Sequence, residues 1–255
     1  MSWNSEQYLK FKTERTQPAI DLANRITAQS ARDIIDIGCG PGNSTEILKK
    51  RYHNATVVGA DNSENMLETA RKNHADIEFI LCDASRDLCR LGRKFDVVFS
   101  NACIQWVPDH PKLLREMLSL LKDGGILAVQ IPMNYDEPIH KIIDEVTSSE
   151  KWRDKFNDPR HFYTLTPEKY YDILSEISSD FSMWQTTYFH RMKSHSDIME
   201  WYKSTGLRPY LEALSSADKA EFEKDIFTEV ENAYPKQTNG EIIFRFPRLF
   251  FTANK

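Results

Sequence analysis

The chain has 255 residues, of which 40% are hydrophobic, with a formal net charge of −5 and a pI near 5.8. This length and composition allow a large buried core, either as one domain or as a core with a modest cap. The acidic balance argues against a nucleic-acid-binding protein, which would normally carry a basic field. An anionic substrate would therefore need a local group of cationic side chains.

The spacing of the cysteines and the lack of long apolar runs indicate the cellular compartment of the protein. Cys39, Cys82, Cys89 and Cys103 have no C-x-x-C spacing and no paired histidines beside them, so we expect no zinc site. Scattered thiols fit a reducing cytosol. The N-terminus lacks a basic and apolar signal sequence, and no apolar run approaches the roughly 18 residues of a membrane span. We therefore predict a cytoplasmic protein with no metal and no membrane or nucleic-acid partner.

Helix and strand patterns alternate over the first 132 residues. The apolar spacing predicts helices over 4–28, 43–52, 64–73 and 111–121, and strands over 33–37, 56–60, 77–81, 95–100 and 126–131. This alternation predicts an α/β fold with a parallel sheet and helices on both faces. After Pro132 the pattern changes, and it predicts helices over 138–151, 167–177, 197–202 and 217–234, with strands over 181–192 and 241–251.

A glycine-rich turn follows the first predicted strand. Asp36 stands two residues before Gly38-Cys39-Gly40-Pro41-Gly42, and an amphipathic helix follows. About twenty residues later, a second apolar run ends in Asp61. Such a unit places a nucleoside at the carboxyl ends of parallel strands, with the acid on the ribose hydroxyls.

The glycine spacing distinguishes between nucleoside ligands. A dinucleotide fingerprint reads G-x-G-x-x-G and places a pyrophosphate at the helix N-terminus, whereas this turn reads G-x-G-x-G. The carboxylate of Asp36 disfavours a pyrophosphate and suits a cation such as S-adenosyl-L-methionine (SAM), which carries a sulfonium and an ammonium. The segment resembles motif I of the class I methyltransferases, which implies a Rossmann-like sheet with SAM as the cofactor. An NAD-dependent oxidoreductase would require the other spacing.

The candidate cofactor-binding residues lie at the ends of predicted strands or in the turns and helices that follow. They are Asp36, Gly38, Gly40, Asn43, Ser44, Asp61, Asn62, Met66, Asp83, Ala84 and Asn101. Asp83-Ala84 matches the place where class I methyltransferases hydrogen-bond the adenine amino group, and Asn101 would face the methionine part of SAM. Met66 fits two interpretations equally well, contact with adenine and simple core packing.

The candidate substrate-binding residues are Arg15, Gln105, Trp106, Arg208 and Arg248. Trp106 follows the fourth strand, where its ring would wall an acceptor pocket, or else pack the next helix. Arg208 and Arg248 are embedded in apolar or turn residues, so each must find an anionic partner or reach water. That partner is either a substrate or an acid of the protein itself. Arg15, on the first helix, would reach the substrate at the mouth of the site, hold the carboxylate of SAM, or lie exposed.

A closer resemblance runs through most of the chain. Segments that look like those of the trans-aconitate 2-methyltransferases are Asn4, Tyr8-Leu9, Phe11, Glu14-Arg15, Pro18-Ala19, 36–45, 101–109, Glu137-Pro138, 170–176, 205–209 and 246–250. The resemblance includes the surplus residues after the fifth strand, which we predict to be mostly helical cap insertions. Departures are Cys103, where the family leads us to expect Ser, and Tyr210, where it leads us to expect Trp.

The resemblance implies an esterification, in which SAM and trans-aconitate give S-adenosylhomocysteine (SAH) and a monomethyl ester. A carboxylate is already ionised at pH 7, so we expect no general base and no catalytic side chain. The rate would come from alignment and from exclusion of water, and arginine forks would anchor the spare carboxylates. Two alternatives stand: a methyltransferase for another small acid or small-molecule acceptor, and a non-catalytic SAM-binding module.

The predicted organisation divides the chain into a core with two insertions. We predict a SAM-binding core over 1–132, a cap insertion over 133–165, core elements over 166–192, a helical cap insertion over 193–238 and a final core strand over 239–255. A lid over the substrate site is an inference from the surplus residues. The oligomeric state stays open at this point.

Overall fold

The computed structural model describes residues 12–156, 162–203 and 205–255. Part of the first predicted helix, residues 4–11, lies outside the described residues, as do Asn4, Tyr8, Leu9 and Phe11. So do residues 157–161 of the first predicted insertion.

The strands are β1 (Asp33–Ile37), β2 (Thr56–Asp61), β3 (Glu78–Leu81), β4 (Phe95–Asn101), β5 (Leu121–Pro132), β6 (Phe181–Met192) and β7 (Ile242–Asn254). The helices are α1 (Lys12–Arg25), α2 (Asn43–Arg51), α3 (Glu64–Asn73), α4 (His110–Ser119), α5 (Pro138–Ser148), α6 (Pro167–Ile177), α7 (His195–Lys203), α8 (Arg208–Ala213) and α9 (Ser216–Ala233).

The strands of the described residues form one seven-stranded sheet in the order β3-β2-β1-β4-β5-β7-β6. β1 is parallel to both β2 and β4, β5 is parallel to β4, and β7 runs antiparallel to β5. The inner strands read as apolar runs because helices cover both faces of a parallel sheet. Ile34, Ile35 and Val58, for example, are fully buried. The predicted α/β class and Rossmann-like sheet are confirmed.

The start of β5 differs from the prediction. Leu121 pairs with Phe95, and the next residue of β5 in register, Ile126, pairs with Val97. The residues between bulge out around Gly124, whose φ is 75°. The sequence pattern predicts a helix end at this glycine pair and a strand from Ile126, because glycines interrupt a strand pattern just as they end a helix.

Short elements account for most other differences. The six-residue α8 and the 3₁₀ turns Leu88–Arg90, Ile104–Trp106 and Arg153–Lys155 have too few residues to show a period in the sequence. α6 and β6 have the predicted bounds.

The chain divides into two compact units, each with its own packing. One holds the described residues of 1–14, 133–161 and 187–247, and the other holds 15–132, 162–186 and 248–255. The first has a core rich in aromatic side chains, among them Trp152, Trp201 and Phe222. The second contains β1 to β5. Among the described residues, no helix combines the length and apolar character needed to cross a membrane. The predicted domain bounds stay a prediction.

Candidate active site

The turn after β1 depends on glycine for two different reasons. Gly38 has a φ of 76°, which residues with a Cβ rarely adopt. A Cβ built on it would also lie 2.1 Å from Cys103 Sγ, so there is no space for a side chain. Gly40 has a φ of 54°, but a Cβ there would meet no atom within 4 Å. The turn therefore presses against the segment after β4 at Gly38 and leaves open space at Gly40.

Asp61 joins this turn to the end of β2. Its Oδ2 accepts a hydrogen bond from the Gly40 N–H at 2.9 Å, and its Oδ1 accepts one from the Ser63 N–H at 2.9 Å. The carboxylate is half-buried, and each oxygen keeps a lone pair for a further donor. The structure thus brings together the glycine turn and the acid that the spacing predicted. Asn62 beside it is exposed, and Met66 lies half-buried on α3.

Asp36 is fully buried and faces the first turn of α2. Its Oδ2 accepts hydrogen bonds from Ser44 Oγ at 2.6 Å and Thr45 Oγ1 at 2.7 Å, and Oδ1 has no partner among the described residues. Burial raises the pKa of Asp36 to about 6, against the lowering effect of the two hydroxyls. Asp36 and Ser44 therefore join β1 to α2, while Asn43 is half-buried at the start of that helix.

Asp83 follows β3 in a turn that holds it in its ionised form. Its Oδ1 accepts hydrogen bonds from Ser85 Oγ at 2.7 Å and from the Ser85 N–H at 2.9 Å, and its Oδ2 lies 3.3 Å from Arg86 Nε. The hydroxyl of Ser85 is the main cause that lowers the pKa of Asp83. Ala84 is buried beside it.

The end of β4 turns sharply at Ala102, a non-glycine residue with a φ of 53°. The Ala102 N–H donates to the Gln130 carbonyl at 2.9 Å. Asn101, the last residue of β4, is half-buried, and its Oδ1 has no partner among the described residues. A buried amide oxygen without a donor suits a ligand that brings one.

The 3₁₀ turn after β4 carries both Gln105 and Trp106. Gln105 is buried and its Nε2 donates to the Ala102 carbonyl at 2.8 Å, while its Oε1 has no partner among the described residues. The Trp106 ring lies 4.4 Å from that of Phe162, centroid to centroid. The Tyr163 N–H donates to the Gln105 carbonyl at 2.9 Å. The residues before α6 therefore support this turn.

A buried pair, which sequence reasoning missed, connects the same two segments. His110 Nδ1 lies 2.6 Å from the Tyr170 hydroxyl, and His110 Nε2 lies 2.8 Å from the Ile104 carbonyl. A carbonyl only accepts, so Nε2 carries the proton and Nδ1 accepts from the hydroxyl. Burial lowers the pKa of His110, which keeps the ring neutral. Sixty residues separate the pair, and no local pattern in the sequence indicates it.

Arg248 and Gln130 form a second buried pair. Arg248 is 5% exposed, and its Nη1 donates to Gln130 Oε1 at 3.2 Å. Arg248 is a candidate from the sequence, whereas Gln130 is not. The available signal was a polar residue inside the apolar run of β5.

The remaining predicted cations occupy different surroundings. Arg208 begins α8 in the first unit and pairs with Glu212, Nε to Oε1, at 2.8 Å. An acid of the protein is thus one of its partners, as the sequence allowed. Arg15 is half-buried on α1. The described part of the chain holds no group of three or more His, Cys, Asp or Glu side chains placed to share a metal ion.

Known proteins resemble the chain in sequence and in fold. A methyltransferase-domain family model matches residues 34–125. A trans-aconitate 2-methyltransferase from Enterobacter sp. (strain 638) is 42% identical over 99% of this chain and 98% of its own. One from Rhodopseudomonas palustris (strain BisA53) is 40% identical over 99% of both chains.

Two solved structures show the likeness in fold. The YcgJ protein from Bacillus subtilis has a TM-score of 0.63 at 15% identity, covering 94% of this chain and 99% of that one. A phosphoethanolamine N-methyltransferase 2 from Haemonchus contortus, in complex with SAM, has a TM-score of 0.55 at 18% identity, covering 95% and 52%. At these identities the likeness concerns the fold alone.

Proposed function

Because the chain belongs to the trans-aconitate 2-methyltransferase family, we propose that it transfers a methyl group from SAM to a carboxylate of trans-aconitate. The products are SAH and a monomethyl ester. The observation that carries the proposal is the identity of 39–42% to curated relatives of that name over 99% of the chain. That coverage includes residues 133–165 and 193–238, which we predict to be cap insertions.

The residues at the carboxyl ends of the strands fit SAM. When bound, SAM supplies a methyl group activated by the positive charge on sulfur. The open space at Gly40 admits a ligand close to the backbone, and Asp61 has lone pairs for two ribose hydroxyls. The ionised Asp83 suits an amino group of adenine, and the Asn101 oxygen suits a donor such as an ammonium.

Supporting roles follow for the other cofactor candidates. Asp36 and Ser44 are buried against each other, so they would act by holding α2 and the glycine turn in place. Asn43 at the start of α2, the exposed Asn62 and the half-buried Met66 on α3 are proposed as further contacts to SAM, together with Gly38 and the buried Ala84.

We assign no side chain as a general base. The carboxylate acceptor is ionised at neutral pH and needs no deprotonation. His110 is unsuited to the role, since Nδ1 accepts from Tyr170 and Nε2 donates to Ile104. The chain's contribution would be to align the acceptor oxygen with the methyl group and to exclude water. Trp106 and Gln105, supported from the residues before α6, would form that wall.

The carboxylates of the acceptor require cations at close range, because the protein's net charge of −5 repels a trianion at a distance. Arg248 is buried, and its planar guanidinium matches the geometry of a carboxylate. Arg208 and Arg15 are proposed as further anchors. For Arg208 to serve, its half-exposed ion pair with Glu212 would have to open, which costs little.

Methyl transfer to a panel of acids tests the proposal. The purified protein is incubated with labelled SAM and with trans-aconitate, cis-aconitate, citrate, isocitrate and simple dicarboxylates, and mass spectrometry locates each ester. We expect the highest kcat/KM with trans-aconitate. Methyl transfer to another acid, with no transfer to trans-aconitate, would contradict the proposed substrate. Tight SAH binding without transfer to any acceptor would favour a non-catalytic module.

The proposal extends to the surroundings of the enzyme. All four cysteines are free thiols, which fits the reducing cytoplasm. We propose this compartment, and a small tricarboxylate as the substrate.

A further inference from the structure

Gln130 is a polar side chain in the middle of an apolar strand. It is fully buried in β5, and its neighbours Ala128, Val129 and Ile131 are fully buried as well. A buried amide is costly unless its oxygen and its N–H groups find partners, so a residue of this kind needs a reason for its place.

The strand register places Gln130 among the candidate site residues. It pairs with Asn101 of β4 and with Phe250 of β7, and directly paired residues point their side chains to the same face of a sheet. Arg248, two residues from Phe250, shares that face. Asn101 is the last residue of β4, and Gln130 lies two residues before the end of β5. This is the carboxyl edge, where α/β sheets bind their ligands.

The contact with Arg248 fixes which way the Gln130 amide points. A guanidinium only donates, so the amide must turn its oxygen to Arg248 Nη1, at 3.2 Å. Nε2 is thereby aimed elsewhere, and it has no hydrogen-bond partner among the described residues. The unpaired Asn101 Oδ1 on the same face does not bond to it either. A fully buried donor is left for an acceptor that the described chain does not supply.

We infer that Gln130 determines specificity by donating from Nε2 to a carboxylate of the acceptor, beside the Arg248 guanidinium. The inference rests on the proposed function. An amide donor next to a guanidinium recognises an anion with several acceptor oxygens, as a carboxylate provides. Gln130 also holds Arg248 in the orientation that this recognition needs. The methionine part of SAM carries a carboxylate too, and the experiment separates the two sources.

Two variants separate the donor from the acceptor function of the amide. Gln130→Met removes both in a similar volume, and Gln130→Glu keeps an acceptor for Arg248 but removes the donor. Thr252→Val is the matched control, since Thr252 opposes Ala128 in the same sheet and has no role in the site. Each protein is assayed with trans-aconitate and with an unsaturated dicarboxylate that lacks one of its carboxylates. SAH affinity is measured by calorimetry and stability by thermal melting.

For both Gln130 variants we expect KM for trans-aconitate to rise about 10- to 100-fold, the range of one hydrogen bond to a charged group. SAH affinity should stay within about twofold, and thermal melting should show both variants folded at the assay temperature. The preference for trans-aconitate over the dicarboxylate should fall by the same factor as KM rises, whereas Thr252→Val should retain it.

Three results would overturn the inference. An unchanged preference in both variants would make Gln130 structural. A loss of SAH affinity with an unchanged preference would assign the amide to the cofactor's carboxylate. If the wild type does not methylate trans-aconitate, the proposed function fails, and the binding of trans-aconitate to the SAH-loaded protein then decides: equal affinity in wild type and Gln130→Met, or none in either, refutes the role of Gln130.

Discussion

The contact between the glycine turn and the segment after β4 predicts a large cost for Gly38→Ala. The new Cβ would lie 2.1 Å from Cys103 Sγ and 2.3 Å from Cys103 Cβ, so moving the flexible end of that side chain cannot relieve the overlap. Burial raises the pKa of the Cys103 thiol to about 12, so the group that is met is a packed, protonated thiol. The φ of 76° adds backbone strain.

The magnitude follows from two additive causes. A left-handed conformation costs a residue with a Cβ about 1–2 kcal/mol, and overpacking costs about 1–3 kcal/mol. We therefore expect Gly38→Ala to lower the free energy of unfolding by about 2–5 kcal/mol. Gly124→Ala is the matched control, because Gly124 has a φ of 75° but no atom within 4 Å of its built Cβ. It should show only the strain of about 1–2 kcal/mol.

Chemical denaturation without ligand measures the free energy of unfolding of both variants. Replacing glycine by alanine also reduces the conformational entropy of the unfolded chain, and this effect cancels in the difference between the two variants because both contain the same replacement. Adding Cys103→Gly to Gly38→Ala should recover most of the stability lost to the overlap and leave only the loss due to backbone strain. SAH affinity, measured by calorimetry, should fall in Gly38→Ala and stay unchanged in Gly124→Ala. The reasoning is refuted if Gly38→Ala destabilises the protein no more than Gly124→Ala does.

Three further predictions concern single side chains. Asp61→Ala should weaken SAH binding by about 1.5–3 kcal/mol for each hydrogen bond lost, as measured by calorimetry, and unchanged affinity would exclude the ribose assignment. Arg248→Lys should lower kcat/KM for trans-aconitate at least about tenfold, with SAH affinity retained, because the guanidinium fork is lost. If neither Arg248→Lys nor Arg208→Lys lowers kcat/KM for trans-aconitate, both arginines are structural. The folded-state pKa of Asp36, about 6, lies above its ordinary value of 3.8, so its stabilising contribution is present below about pH 4 and lost as the pH rises through 6. Asp36→Asn should therefore exceed the wild type in unfolding free energy by up to about 3 kcal/mol at pH 7 and by little at pH 4, in denaturant titrations at both values.

Local patterns in the chain were enough to predict the strands β1 to β4 and the position of the glycine turn between β1 and α2. The unit formed by β1, the glycine turn, α2 and β2 is continuous in the chain. Its hydrophobic periods and turn glycines are therefore visible in the local sequence. The pattern therefore predicts that Asp61 lies close to the glycine turn, and its hydrogen bond with Gly40, 21 residues away, agrees with that. The resemblance to a known family extended this to the substrate class, which no period or spacing reveals.

Which polar side chains meet across the fold depends on packing that no local pattern reveals. Gln130 and Arg248 are 118 residues apart, and His110 and Tyr170 are 60 apart. Only the register between strands and the packing of α4 against α6 bring such pairs together. Burial raises the pKa of Asp36, and the sequence does not reveal this because a carboxylate at a strand end gives the same pattern whether it faces a ligand or a helix. The partner of a polar side chain is set by whatever lies nearest in space: Asp83 and Arg208 find theirs within a few residues, whereas that of Arg248 comes from a distant strand.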